Sequence, residues 1–486
     1  MINVNIDEKQ LEKNARLCKA QGIILPTFEQ MKNPGLIPAG IKKELEQIGL
    51  WDVHSRNLFR VTWQNEPEKQ GGGFGEVNYL ELPARLTGVK ARIAGLVGKW
   101  FPTGAHKVGA SYGCIVPALV TGQFNPEKHK AVWPSTGNYC RGGAYISRLL
   151  GCNSIAILPE GMSRERFEWL SRIAGEIIAT PGCESNVKEI FDKCRELKAT
   201  RGSDIFIFNQ FEEFGNYLWH HEVTGKAMEK VLNKLMGARD RMAGICLSSG
   251  SAGTLGSGDY LKEIFPRARL AVGEALQCPT LLSSGFGGHR IEGIGDKHIP
   301  WIHNVKNTDL VIAVDDEHAL RSLRLFNEEI GRDYLAEQGV DKSLLDQLDL
   351  LGISSIGNLV AAIKFAKYYE LTENDIVLTV FTDSFELYAS RIEELTEERG
   401  PYTRDDAVKD FEMIKQLTID HVLELSYTER KRIHNLKYYT WVEQQGKTYE
   451  EINAQWYEPD YWTSIYRQAP QIDGLIREFN ARINAL

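Results

Sequence analysis

The sequence predicts an α/β fold, a parallel sheet covered by helices on both faces, and two patterns carry that expectation. Between about Val89 and Asp383, short β-branched runs alternate with helix-length amphipathic stretches. Strand–helix–strand units at this spacing pair in parallel through right-handed crossovers, which place helices on both sides of the sheet. The second pattern is the position of the polar, glycine-rich segments. Four of them follow a strand-like run, at the sheet edge where parallel folds bind their ligands.

In chain order, residues 1 to about 75 are read as irregular and end in Gly71-Gly72-Gly73-Phe74-Gly75. Strand-like runs follow around Ala91–Val97, then at Val132–Ser135, Ser154–Pro159, Glu176–Pro181 and Asp204–Phe208. Four more are Ala243–Ser248, Arg269–Glu274, Leu310–Val314 and Ile376–Phe381. Helical patterns between them include Arg164–Ala174, Val187–Ala199 and Asn358–Tyr369, with Ser163 and Ser185 as expected N-caps for the first two. From about 396 to 486 the chain reads as mostly helical, and Trp441, Trp456, Tyr457, Tyr461, Trp462 and Tyr466 supply aromatic surface that needs burial on the core or a partner.

With 486 residues, 43% hydrophobic and 25% charged, the chain has the composition of a globular protein of two or three domains. The net charge of -8 offers no general attraction to polyanions, so neither nucleic acid nor an anionic membrane is an expected partner. No signal-like N-terminus and no run of eighteen apolar residues is visible, which makes the cytoplasm the expected compartment. Eight cysteines stand singly and without metal-ligand spacing, so they read as buried thiols. His220-His221 point to different helix faces and are not read as a metal pair.

The four loops differ in chemistry. Phe101 to Ala110 carries Lys107 at a loop-to-helix junction, where a desolvated amine can bond an aldehyde or act as a base. Pro134 to Gly143 brings Ser135, Thr136, Gly137 and Asn138 to a helix N-terminus suited to a carboxylate, or else simply caps and packs that helix. Leu247 to Gly258 contains Gly250-Ser251-Ala252-Gly253-Thr254, a turn that can cradle one phosphate yet lacks both the Gly-Lys-Ser/Thr and the GxGxxG nucleotide patterns. Val380 to Tyr388 holds Ser384, a neutral hydroxyl able to hydrogen-bond a heterocycle nitrogen, in what is otherwise a polar turn.

Taken in order, these segments resemble the fold type II pyridoxal-phosphate enzymes of the tryptophan synthase β superfamily, and cysteine synthases in particular. Leu158–Arg166, Asn209–Glu212, Ile291–Gly295 and Gly352–Ser355 are similar to segments of the same enzymes, and the likeness runs from about Tyr79 to Arg391. It implies two three-layer parallel-sheet domains with the cofactor between them: residues 76–110 and 226–395 as the large cofactor-binding domain, and 111–225 as a smaller, mobile substrate domain. Residues 1–75 and 396–486 would then be extensions.

The resemblance also implies roles. Lys107 would bond pyridoxal 5'-phosphate and take the substrate α-proton, and Asn138 would meet the ring hydroxyl. Gly250, Ser251, Ala252, Gly253 and Thr254 would bind the phosphate, and Ser384 the pyridine nitrogen. Ser135, Thr136, Gly137, Tyr139 and Gln210 would form the substrate side, with Arg141 and His289 as candidates for an anionic substrate group. The implied reaction is β-elimination or β-replacement on a small β-substituted L-amino acid through an α-aminoacrylate intermediate, with a second, nucleophilic substrate in the replacement case and a homodimer as the expected assembly. A serine/threonine dehydratase-like ammonia-lyase uses the same parts, and a non-catalytic binding subunit on this fold is the alternative from another class. Two departures stand out: Val108-Gly109 follows the lysine where cysteine synthases have Asp-Arg, and Tyr139 replaces a threonine.

Overall fold

In the computed structural model, which describes residues 1–485, the expected alternation is present and its strands sort into two sheets. β1 (Tyr79–Leu82) and β2 (Arg92–Val97) open the larger sheet. The chain then leaves to build the smaller one from β3 (Lys130–Pro134), β4 (Ser154–Pro159), β5 (Glu176–Thr180) and β6 (Ile205–Ile207). It returns with β7 (Arg241–Ser248), β8 (Arg269–Ala275), β9 (Leu310–Val314), β10 (Asp375–Phe381) and β11 (Val422–Glu424).

The larger sheet runs β1-β2-β10-β7-β8-β9-β11 and the smaller β5-β4-β3-β6. Pairing is parallel except at the edges of the larger sheet, where β1 and β11 run antiparallel to β2 and β9. β9 and β10 are buried at every residue, as strands covered on both faces must be. The helix expected at Asn358–Tyr369 begins earlier, at Ile353, and is buried through Ala366 against the larger sheet. Among the described residues no single helix is long and apolar enough to cross a membrane.

Two expectations need correction. Residues 1–75 are not irregular: helices cover Glu8–Ala20, Phe28–Lys32 and Ala39–Leu45. Asp7 caps the first by accepting from the Gln10 amide at 3.1 Å, and Leu11, Ala15 and Cys18 form its buried stripe. The serine caps are also absent. Ser163 stands at the N-cap position without a capping hydrogen bond, its amide donating instead to Glu292 at 3.3 Å, and the next helix starts from Asn186 while the Ser185 hydroxyl donates to the Gly287 carbonyl at 2.7 Å. The C-terminal region is mostly helical and also contributes β11 as an edge strand. Seven of the eight cysteines are buried and Cys183 is half-buried.

The C-terminal aromatics pack on the core, as their number requires. Trp441 is wholly buried among Phe191, Phe211 and Trp301, and its indole N–H donates to the Ile299 carbonyl at 2.8 Å. Nearby, the buried Lys437 amine donates to the carbonyls of Trp301 and His303, each at 2.8 Å, and to Gln455 at 2.6 Å. Tyr457 stays exposed, as do Tyr427, Tyr439 and Tyr449. Truncating the buried indole removes both contacts and packing: Trp441→Ala is expected to lower stability by about 3–5 kcal/mol, read as a reduced urea midpoint.

Candidate active site

Strand ends of the two sheets converge on one cavity. After β2 the chain makes a short turn and enters the helix Lys107–Val120 at its first residue, Lys107. Gly109 lets this helix approach the neighbouring Phe214–Trp219 helix, because a Cβ there would lie 2.1 Å from the Trp219 ring. The Lys107 amine donates to the Ser251 hydroxyl at 2.9 Å, and Asn216 fixes that hydroxyl by donating to it at 3.0 Å. Desolvation lowers the lysine pKa to about 8, partly offset by the Asp296 and Glu184 carboxyls. A measurable fraction of the amine is therefore neutral and nucleophilic near neutral pH.

β7 delivers the second wall. Its loop, Ser249 to Thr254, leads into the helix Leu255–Ile264, and the amides of Gly250 to Thr254 donate to no protein acceptor among the described residues. Ala252 sits at φ 63°, a left-handed conformation that a non-glycine residue adopts at a cost and that turns successive N–H groups inward. Gly250 and Gly253 allow the close approach: Cβ atoms there would fall 2.8 Å from the Gly293 carbonyl and 2.0 Å from Asn216. Free amides at a helix N-terminus form a ready anion site.

β3 supplies the third wall through Ser135–Asn138 and the helix Asn138–Leu149. The Gly137 amide donates to the Ser135 hydroxyl at 2.9 Å, while the amides of Thr136, Asn138 and Tyr139 have no protein acceptor among the described residues. Asn138 is held at both ends: its amide nitrogen donates to Asp383 at 2.6 Å and its oxygen accepts from Arg141 at 3.1 Å. One amide hydrogen stays free. Asp383 also accepts from the Tyr388 hydroxyl at 2.8 Å and lies 3.5 Å from Arg166, a fully buried guanidinium paired with Glu292.

Of the expected positions, Lys107, Ser135, Thr136, Asn138 and Gln210 line the cavity, faced by Gly250, Ser251, Ala252 and Thr254. Gly137 and Gly253 shape the backbone behind them. Tyr139 also reaches the cavity, but its hydroxyl donates to the Phe208 carbonyl at 3.2 Å and its ring packs on Trp133, so it is a wall rather than a hydrogen-bonding contact. Ser384 does not line the cavity. Val380 and Thr382 do, and by Ser384 the chain has turned toward the short helix Phe385–Leu387, leaving the serine buried with an unpartnered hydroxyl. Arg141 donates to Asn138 and the Thr103 carbonyl, His289 is buried against the Gly295 carbonyl at 2.7 Å, and neither lines the cavity.

The structure adds residues that motif reading did not assign: Thr382, Ser354 and Asn358 in the lining, and Asp383 and Arg166 behind it. Ser354 lies in the Gly352–Ser355 segment already singled out by resemblance, so a signal for it existed. His106 meets Thr382 at 3.3 Å, and burial with the adjacent Lys107 charge holds its imidazole neutral, well below its ordinary pKa. Pyridoxal phosphate fits this donor set. The free amides form a phosphate cradle that any Cβ at Gly253 would disturb, the amine stands 2.9 Å from a side chain of that cradle, and the Ser354 hydroxyl is buried without a partner.

Comparison with known proteins gives a concordant result. A family described as pyridoxal-phosphate dependent enzyme matches residues 101–333. A cysteine synthase of Staphylococcus aureus is 31% identical over 291 residues, covering 60% of this chain and 84% of that protein. A probable cysteine synthase of Bacillus subtilis is 29% identical over 290 residues, covering 60% and 85%. The crystal structure of an O-acetylserine dependent cystathionine β-synthase from Helicobacter pylori superposes with a TM-score of 0.54 at 24% identity, over 65% of this chain and 95% of that one, and shares the fold.

The lowered lysine pKa sets a pH dependence. In cofactor-free protein, the rate at which Lys107 captures added pyridoxal phosphate is expected to rise with pH, by about tenfold per unit below about 8, and to level off above it as the amine becomes neutral. Stopped-flow absorbance across pH 6 to 9.5 reads this directly.

Proposed function

The chain belongs to the pyridoxal-phosphate dependent enzymes, and we propose that it catalyses β-elimination or β-replacement on a small β-substituted L-amino acid at the Lys107 cavity. The observation that carries this reading is the placement of a lysine of lowered pKa beside five unpaired amides, with a second set of free amides across the cavity. The first set suits a phosphate and the second a carboxylate. Likeness to cysteine synthases over most of their length supports the same reaction class.

When bound, pyridoxal phosphate supplies an electron-withdrawing ring that stabilises negative charge at Cα. The protein does the rest. Gly250 to Thr254 would bind the phosphate, and the remaining Asn138 amide hydrogen would meet the ring hydroxyl. Thr136, Asn138 and Tyr139 amides, with Ser135, hold the substrate carboxylate and so fix which Cα bond faces Lys107. The Lys107 amine takes the Cα proton. A neutral hydroxyl at the end of β10, that of Thr382 in the lining, would serve the ring nitrogen without protonating it, which would favour loss of a β-substituent over transamination. Residues 111–225, which carry the smaller sheet, act as the substrate domain against 76–110 and 226–395.

Two measurements test the proposal. Purified protein titrated with pyridoxal phosphate should show a saturable visible absorption band, perturbed by at least one of cysteine, serine, O-acetylserine and O-phosphoserine. Lys107→Ala should lower turnover by at least about 100-fold, the scale of a lost general base. Absence of saturable cofactor binding, or full activity in the variant, contradicts the reading, and cofactor binding without turnover in the absence of any partner protein favours a binding subunit.

A further inference from the structure

Residues 1–75 lie outside the cavity lining, yet a line of polar side chains runs from them to the cavity wall. The indole N–H of Trp63 donates to the Thr224 hydroxyl at 3.0 Å, and that hydroxyl lies 2.9 Å from His220 Nδ1. The His220 ring meets the His106 ring edge to face, with centres 5.0 Å apart and planes at 80°. His106 Nε2 lies 3.3 Å from the Thr382 hydroxyl, and both His106 and Thr382 line the cavity. Trp63, Thr224, His220 and His106 are each at most 1% exposed, so their hydrogens need acceptors inside the protein.

That need fixes where the hydrogens sit. An indole nitrogen only donates, so the Thr224 oxygen accepts from Trp63. The Thr224 hydroxyl hydrogen then has one acceptor among the described residues, His220 Nδ1, which puts the His220 hydrogen on Nε2. His220 Nε2 and His106 Nδ1 have no other partner among the described residues, and pairing them leaves the His106 hydrogen on Nε2. There the Thr382 oxygen accepts it. His106 alone gives the same answer: Nε2 faces an oxygen and Nδ1 faces none, and a buried N–H without an acceptor is rarer than a bare acceptor. Burial holds both imidazoles neutral, and the Lys107 charge adds to it, so the line orients hydrogens without delivering a net proton.

We propose that Trp63, Thr224, His220 and His106 are positioning residues that fix the Thr382 hydroxyl with its oxygen toward His106 and its hydrogen toward the cavity, where it donates to the cofactor ring nitrogen. The proposal rests on the reading above, in which Thr382 serves that nitrogen, and it gives the N-terminal region a part in the site. A donor set in advance binds without the cost of reorienting. With the His106 hydrogen on Nδ1 instead, Nε2 would accept from Thr382 and the ring nitrogen would face oxygen lone pairs.

Two readouts test this, and neither is turnover. In cofactor-free protein carrying isotope-labelled histidine, long-range proton–nitrogen spectra should show His106 and His220 neutral and protonated on Nε2, each assigned by its loss in His106→Leu and His220→Phe. The second readout is equilibrium affinity for pyridoxal phosphate and for its deaza analogue, in which C–H replaces the ring nitrogen. Wild type should prefer pyridoxal phosphate by about tenfold, the worth of one hydrogen bond. Thr382→Val should erase the preference. Thr224→Val, which keeps the packing and breaks the line, should reduce it by about threefold, and His106→Leu by at least as much. A purely structural role lowers both affinities together and leaves their ratio unchanged.

A His106 hydrogen on Nδ1, no preference in wild type, or a preference that survives Thr382→Val or both Thr224→Val and His106→Leu overturns the line of positioning residues and leaves the reaction class standing. Failure of wild type to bind pyridoxal phosphate at all removes the cofactor reading itself, and the purpose of the line with it.

Discussion

The site depends on one buried cation. Arg166 comes from the helix Arg164–Ile173 beside the smaller sheet and is 1% exposed, while the groups that neutralise it belong to segments of the larger sheet. Glu292 pairs with it, Asp383 lies 3.5 Å away, and the Tyr388 hydroxyl accepts from it at 2.7 Å beneath a ring whose centre is 5.0 Å from the guanidinium. A charge removed from water is tolerated only when fully matched, and deleting one partner of such a pair costs about 3–5 kcal/mol. The two sheets are thereby fixed relative to each other at the cavity. Gly137 shows how tight the fit is, since a Cβ there would stand 2.8 Å from the Arg166 Nε.

Orientation spreads outward from this pair. Asp383, matched by Arg166, receives the Asn138 amide, and Asn138 accepts from Arg141. Glu292, held also by Arg391 at 2.7 Å, starts the segment that supplies Gly293 and Ile294 to the lining. The far end of that segment is gripped by the C-terminal region, where Lys437 and Trp441 bind the carbonyls of Ile299, Trp301 and His303. A region that touches no part of the cavity therefore sets the path of a loop that does.

Legibility in the sequence followed the range of the interactions. Lys107, Ser135–Asn138 and Gly250–Thr254 were readable because a strand end, a turn and a helix start are local patterns, and their chemistry lies in the same few residues. Arg166 and Asp383 were not, because their roles exist only through each other across 217 positions of chain, and each alone is an ordinary charged residue. Thr382 was missed in favour of Ser384 because which residue faces the cavity depends on where β10 ends and the chain turns. In the N-terminal region, the apolar stripe of Leu11, Ala15 and Cys18 is diluted by charge, and the three-residue β11 carries almost no periodic signal.

The claim on which all of this rests is that Lys107, and no other lysine, is the cofactor attachment point. Borohydride fixation of protein saturated with pyridoxal phosphate, followed by peptide mass mapping, tests it most directly. The account predicts one stoichiometric label, on the peptide containing Lys107, and none on that peptide when excess inorganic phosphate displaces the cofactor from Gly250–Thr254 beforehand. Label distributed over surface lysines, or concentrated at a different buried lysine such as Lys437, would contradict it.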